Sequence, residues 1–219
     1  MGTQIRRVHL DDWQASRQLR LDALRDEAAS IAFLESYEDA AARPDEFWED
    51  RVRRSAEGDD AAQFVAVDDE ALVGTVTVLV QEAGSHDYHG RLIGHRRAVL
   101  VGVYVRPQHR GAGLIDALID AAAQWCRQRD VTELVLDVHR DNVRAQRAYR
   151  RAGFAPTGST VIGPIGVEVD MARRLGGSVG LGTVGLGAVG DAVTSNNGPD
   201  ESVTMPRQRP PSDANPGAR

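Results

Sequence analysis

Lysine is missing from this chain of 219 residues, and all 26 basic side chains are arginine. Without a lysine amine there is no pyridoxal Schiff base, no phosphate-binding lysine of a P-loop and no phosphate-pairing lysine of a protein kinase. Cysteine is almost missing too. The one thiol, Cys126, excludes an internal disulfide, a multi-cysteine zinc or iron–sulfur centre and a paired-cysteine redox motif. It follows Trp125 within a helical pattern and reads as a packing residue rather than a nucleophile. Net positive charge is absent: 26 basic against 32 acidic residues give −6, and a phosphate backbone would repel such a chain, so nucleic acid is not an expected partner. Long apolar runs are absent as well. A membrane span needs about 20 predominantly apolar residues, whereas the longest uncharged stretches reach 16 residues, and Leu175–Gly190 among them contains seven glycines. Residues Met1–Arg7 lack an apolar signal core, and Arg6 stands where a myristoylation signal needs serine or threonine. No membrane is expected, and the chain reads as a cytoplasmic protein.

With 42% apolar and 26% charged side chains, the composition fits one domain with a proper core. It changes sharply after Leu175. Residues 176–219 hold nine of the 22 glycines and five of the nine prolines but no aromatic residue. Without large side chains a segment cannot offset the entropy of ordering, so the reading is a folded domain over residues 1–175 and a disordered low-complexity tail over 176–219. Within that tail Gly180–Gly185 spells a dinucleotide-binding fingerprint. The fingerprint works only when a strand precedes it and a helix follows, and Asp191 onward offers no amphipathic helix.

The first 175 residues alternate helical and strand patterns. Gln4–His9 suits a short strand, and Asp11 can cap a helix through Trp13, Leu21, Leu24 and Ala28. Pro44 suits the first turn of a second helix, with Asp45 and Glu46 at its positive end. Gln63–Val67 and Leu72–Val80 read as a hairpin across Asp68-Asp69-Glu70, followed by a loop over 81–97. Ala98–Val105 is apolar on both faces, as a covered central strand must be, and Gly102 within it suggests a bulge or a close approach to a ligand. Leu114, Leu118, Ala121 and Trp125 recur at helical spacing. Leu134–Val138 is another strand. Ala145, Ala148, Tyr149 and Ala152 line one face of a last helix ended by Gly153. Val167, Val169 and Met171 alternate with Glu168 and Asp170, giving a final strand with one wet face.

The join between the central strand and the clearest helix carries the chemistry. In Gln108-His109-Arg110-Gly111-Ala112-Gly113-Leu114 two glycines flank a small residue where the helix begins, so backbone N–H groups can converge on an anion such as a diphosphate. Arg106 and Arg110 are placed to add charge. A glycine-bearing turn that merely packs helix on strand is the plain alternative. Gln108–Gly113 resembles the Gln/Arg-x-x-Gly-x-Gly/Ala signature of the GNAT superfamily of acyl-CoA-dependent N-acetyltransferases, with Gly102–Val105 similar to the strand before it. A second block agrees: Leu136–Asn142, then Ala145, Tyr149 and Gly153-Phe154, is similar to the following strand, the asparagine and the tyrosine-bearing helix of that family.

The resemblance implies an α/β fold with a mixed central sheet, splayed central strands and flanking helices over roughly residues 4–174. It implies acetyl-CoA as acyl donor, with main-chain N–H groups from Gln108, His109, Arg110, Gly111, Ala112, Gly113 and the adjoining Leu114 at the pyrophosphate. Val103, Tyr104 and Val105 would lie along the pantetheine arm, the Val103 N–H would polarise the thioester carbonyl, Asn142 would bond the cofactor and Tyr149 would protonate the departing thiolate. One position departs from the pattern: Ile115 stands where many members have a further glycine, and a firm helix start is expected there. Asn142 can equally cap a helix, and Tyr149 can be a core residue.

A general base is not apparent, because Ala98–Val105 contains no carboxylate; Glu35, Tyr37, Asp137, His86 and His89 are the candidates. The acidic Glu35–Asp39 segment mildly favours a cationic acceptor. The six histidines show no metal-ligand spacing, and no metal is expected. The reading is acetyl transfer to a primary amine on a small molecule, peptide or protein, by direct attack in a ternary complex. A non-catalytic acyl-CoA-binding or sensing module is the alternative, a generic anion-binding domain a third reading, and assembly as a homodimer is compatible with either of the first two.

Overall fold

In the computed structural model, residues 2–176 are described; the tail expected to be disordered and its glycine repeat lie, from residue 177 on, outside the described residues. The elements run β1 (Gln4–Arg7), α1 (Trp13–Leu24), α2 (Tyr37–Ala41), α3 (Asp45–Glu57), β2 (Ala61–Asp68), β3 (Ala71–Gln81), β4 (Arg97–Val105), α4 (Leu114–Arg127), β5 (Glu133–His139), α5 (Val143–Arg151), β6 (Ala155–Gly163) and β7 (Gly166–Arg174). The strands form one sheet in the order β1-β2-β3-β4-β5-β7-β6. Every neighbouring pair is antiparallel except β4 and β5, which the α4 crossover makes parallel.

The sheet is mixed and covered on both faces, as the apolar β4 requires. One face packs against α4 and α5: Ala98, Leu100, Leu134, Leu136 and Val138 meet Leu118, Ile119, Ala122, Trp125 and Cys126. The other face carries α1 and α3, where Leu19, Ala23 and Val52 pack on Val65 and Tyr104, and Trp48 closes the bottom against Leu21 and Leu24. Each fully buried leucine or isoleucine contributes about 1.5–3 kcal/mol. Cys126 is fully buried in the first cluster, and burial pushes its thiol up to about 12, which fits packing and not nucleophilic chemistry.

The β2–β3 hairpin forms where expected, with Asp69 and Glu70 both at positive φ in the turn. Other local expectations shift. Asp12 rather than Asp11 organises the entry to α1: its carboxylate accepts from the His9 N–H at 2.7 Å and is held by Arg6. Pro44 is the residue before the first turn of α3, not within it. Strand β6 was not expected at all, since Thr157-Gly158-Ser159-Thr160 lacks alternation, and it forms as a mostly exposed edge paired to β7. The face of β7 expected to be wet is largely covered. Glu168 is buried, because the loop between β3 and β4 folds over it.

Among the described residues no helix is long and apolar enough to cross a membrane.

Candidate active site

Strand β4 is interrupted where its sequence has Gly102. On one side, Thr75 pairs with Tyr104 and Thr77 with Val101, so the single residue Val76 faces both Gly102 and Val103, a β-bulge with Gly102 at φ +62°. The extra residue reverses the facing of the strand. Ala98 and Leu100 before the bulge and Val103 and Val105 after it all pack toward α4, which strict alternation forbids. On its other side, β4 pairs with β5 only at Ala98–Leu134 and Val99–Val135. Beyond that point the two parallel strands splay. Val101–Val103 is accordingly the half-buried stretch in the middle of an otherwise buried strand.

The glycine loop opens at the end of the same strand. Gly111 and Gly113 take φ of +83° and +75°, and a Cβ built at either would meet nothing within 4 Å. The glycines therefore serve backbone conformation and clearance for a ligand rather than close helix–strand packing. Gly113 is the N-cap of α4 and offers no side chain to the first N–H groups of the helix, which leaves them for an anion. Ile115 does not disturb the start: α4 begins at Leu114, and Ile115 packs against the core. The loop is fixed from outside. His109 Nε2 lies 3.3 Å from Asp68, Arg106 pairs with Asp22 at 2.8 Å, and the Arg110 guanidinium holds Asp26 and the Val105 carbonyl. The Arg106 and Arg110 guanidiniums, expected to add charge at the cradle, are thus matched here by carboxylates of the α1 region. Two arginines that sequence reading passed over, Arg144 and Arg151 on α5, line the cavity with side chains 56% and 63% exposed and only long ion pairs, 3.8 Å to Asp26 and 4.0 Å to Asp116.

Helix α5 brings Asn142 and Tyr149 to the gap. Asn142 is its N-cap, accepting from the Ala145 N–H at 3.1 Å, so the capping reading holds and the side-chain amide N–H groups remain available. At the other end Gly153, at φ +86°, closes a Schellman motif: Phe154 N–H donates to Tyr149 O and Gly153 N–H to Arg150 O. The apolar contact that accompanies this motif is the Tyr149–Phe154 ring pair, edge to face at 6.0 Å. The signal that stops the helix also orients the tyrosine. Burial pushes the Tyr149 hydroxyl up to about 12.

A single cavity of about 820 Å³ joins these parts. Of the residues singled out in the sequence, Val103, Tyr104, Val105, His109, Arg110, Gly111, Gly113, Leu114, Asn142 and Tyr149 line it, whereas the exposed Gln108 and Ala112 do not. Among the candidate bases, Glu35 lines the wall but is engaged by Arg20 at 3.2 Å and Arg43 at 3.8 Å. Tyr37 accepts from Arg25, and His86 is exposed on the loop. Asp137 lines the cavity and accepts from Tyr88 Oη at 2.7 Å; burial, and then this hydrogen bond, drive that phenol well above its usual range. His89 is buried against Asp137 and Glu168. Glu168 lines the cavity and was missed, because a carboxylate alternating with valines looks like solvent-facing strand.

A parallel strand pair splayed beside a loop-to-helix anion cradle, with a tyrosine at the opening, is the architecture of an α/β acyltransferase. Comparison with known proteins makes the assignment definite. The chain belongs to the GNAT family of acetyltransferases: the profile of the Acetyltransferase (GNAT) family matches residues 15–154. An aminoglycoside N(6′)-acetyltransferase type 1 of Stenotrophomonas maltophilia is 30% identical over 109 residues, covering 50% of this chain and 69% of the relative. Human N-acetyltransferase 8B is 30% identical over 97 residues, covering 44% of this chain and 40% of its own length. Among solved structures, the PaiA N-acetyltransferase of Thermoplasma acidophilum in complex with coenzyme A superposes with a TM-score of 0.62 at 19% identity, over 80% of this chain and 99% of that one. The spermidine N-acetyltransferase of Vibrio cholerae with CoA and spermine gives 0.58 at 20% identity, over 79% and 95%. The protein is thus an acyltransferase of the family that acetylates amines from acetyl-CoA.

Proposed function

We propose that the chain transfers an acetyl group from acetyl-CoA directly to a primary amine in a ternary complex, with no acyl-enzyme. The observation that carries this reading is that one cavity joins the unpaired stretch of β4, the glycine cradle and an acidic wall. Acetyl-CoA supplies the activated thioester when bound. Main-chain N–H groups from Gly111 to Leu114 hold its diphosphate, those of His109 and Arg110 being already bonded to the Arg106 and Pro107 carbonyls, with Arg144 and Arg151 in reach of the charge. The free edge of β4 from Val103 to Val105 offers peptide groups to the amide-bearing arm. The Val103 N–H, at the bulge where Val103 has no partner residue on β3, donates to the carbonyl oxygen as negative charge develops there. Asn142 donates its remaining amide hydrogens.

Tyr149 acts at the leaving group. A phenol pushed up to about 12 does not give its proton completely to a thiolate, whose acid has a pKa near 8.5, so Tyr149 serves as a hydrogen-bond donor to the departing sulfur. The acceptor is an amine that arrives as an ammonium ion. Asp137 and Glu168 on the wall suit a cation, and the similarity to an aminoglycoside acetyltransferase and to a spermidine acetyltransferase points the same way.

Thiol release from acetyl-CoA is the test, measured with an aminoglycoside, a polyamine, a peptide α-amine and simple alkylamines. Turnover with at least one of these is expected. Tight acetyl-CoA binding without turnover across the panel would replace this reading with that of a sensing module, and phosphate binding without preference for the pantetheine arm with that of a generic anion site.

A further inference from the structure

The pairing of β5 with β7 sets Asp137 opposite Asp170 and His139 opposite Glu168. Alternation puts all four side chains on one face of the sheet, and the loop after β3 lays Tyr88, His89 and Arg91 across it. Three of the four strand residues are committed. Asp137 accepts from Tyr88 and lies 3.5 Å from Arg91; Asp170 holds Arg91 at 2.6 Å through Oδ2, and although its Oδ1 is also buried without a partner, Asp170 does not line the cavity. His139 Nδ1 accepts the Asp141 N–H at 3.1 Å, which assigns its proton to Nε2 and makes it a donor. Glu168 is different. Its side chain is 6% exposed, it lines the cavity, and its Oε2 is buried with no hydrogen-bond partner. Leaving such an oxygen unpaired is costly, the more so for a charged group, and such costs gather at functional sites. The space is kept by two glycines of the β6–β7 hairpin. A Cβ at Gly163 would collide with Glu168 Oε2, and one at Gly166 would stand 2.6 Å from His139 Nε2.

We infer that Glu168 is the general base that deprotonates the acceptor ammonium, with His89 as a positioning residue beside it. This rests on the reading of the cavity as an acetyltransferase site. The Glu168 carboxylate takes one proton from the ammonium, leaving a neutral amine and a carboxylic acid. The nitrogen lone pair forms the C–N bond at the thioester carbon, and the C–S bond breaks with its electron pair on sulfur. Of the two protons that nitrogen sheds in becoming an amide, one ends on the thiol and one in solvent. His89 Nε2, buried and unpartnered, stands 3.8 Å from Glu168 Oε2 and 3.8 Å from Asp137 Oδ2, where it accepts from the protonated acid. The charged and titratable groups around Glu168 are Tyr88, His89 and Arg91 from the loop, Asp137 and His139 from β5, and Asp170 from its own strand.

Two probes separate this role from a structural one. Ethylamine is an ammonium ion at neutral pH, whereas trifluoroethylamine is already a neutral amine and needs no base before attack. In the full chain Glu168→Gln is expected to lower kcat/KM for ethylamine by about 10² or more, with the loss shrinking as pH rises toward the amine's own pKa. Trifluoroethylamine should change by less than about threefold, and acetyl-CoA affinity by calorimetry should hold. Glu168→Asp, which keeps a carboxylate, should recover part of the ethylamine rate. Equal losses for the two amines, a loss independent of pH, or no loss overturns the assignment and leaves the acetyltransferase reading standing. If the unaltered chain releases no thiol with any amine, that reading falls and the base assignment falls with it.

Discussion

The Tyr149 hydroxyl matters through where its proton is when sulfur leaves. Burial pushes it up to about 12, so at neutral pH it is protonated and ready to donate, yet too weak an acid to complete the transfer to a thiolate. Tyr149→Phe keeps the ring that packs on Phe154 and removes only the donor. Acetyl-CoA affinity should hold while kcat falls about 10², the lower part of the range for a positioned proton-bearing group. Pre-steady-state measurement of the chemical step checks this, and wild-type turnover there would make Tyr149 a core residue. A second residue-scale expectation concerns Asp170. Burial, and then the adjacent Asp137 carboxylate, raise its pKa from 3.8 to about 6. A raised carboxyl means that the folded state holds the proton more tightly than the unfolded chain does. The associated stability is fully present below about pH 4 and is lost as pH rises through about 6. Asn imitates the protonated acid, so Asp170→Asn should gain in melting temperature relative to the unaltered chain across that window and keep the gain at neutral pH. A difference that stays constant with pH would contradict the coupling.

At the scale of elements, the site is made by three backbone irregularities: the bulge at Gly102, the left-handed pair Gly111 and Gly113, and the helix stop at Gly153. Each was legible, because glycine inside an apolar strand, before a helix and after one has a stated conformational meaning. The expected bulge and helix stop formed, and Gly111 and Gly113 both take left-handed backbone. What was not legible depends on long-range covering. Glu168 alternates with valines like any wet strand position, and only the fold of the loop carrying Tyr88, His89 and Arg91 onto β7 makes it buried. The pairing of Arg106 and Arg110 with Asp22 and Asp26 across more than 80 residues is equally invisible to local pattern. The cradle gives the element-scale prediction. No neighbour opposes a side chain at Gly113, but valine at φ +75° costs about 1–2 kcal/mol and its methyl groups fill the anion site. Gly113→Val should therefore fold, melt a few degrees lower, and bind acetyl-CoA at least about tenfold more weakly by calorimetry. Retained affinity would remove the cradle from the diphosphate.

For the whole molecule the decisive feature is that the sheet is held across its middle by two residue pairs, Ala98–Leu134 and Val99–Val135. The antiparallel part β1–β4 and the part β5–β7 are otherwise joined through α4, whose Leu118, Ile119, Ala122 and Trp125 pack across the seam, and through the loop after β3, whose Tyr88 and Arg91 hold Asp137 and Asp170. A ligand arm that bonds to the free edge of β4 and reaches the cradle and α5 replaces the missing ladder with its own contacts. Binding to the folded state alone stabilises it by about 2.7 kcal/mol at a ligand concentration of 100 Kd, which for a domain of this size raises the melting temperature by about 5–10 °C. The location of the protection is the sharper test. Amides of Leu100–Val103 belong to the half of β4 that has lost β5, and they should exchange hydrogen faster than those of β2 and β3 in the free protein. On saturation with acetyl-CoA their exchange should slow together with that of Gly111–Leu114, while the β6 edge stays unchanged. Slowing confined to the glycine loop would mean that the nucleotide end binds without the arm entering the gap, and the gap would then belong to the acceptor alone.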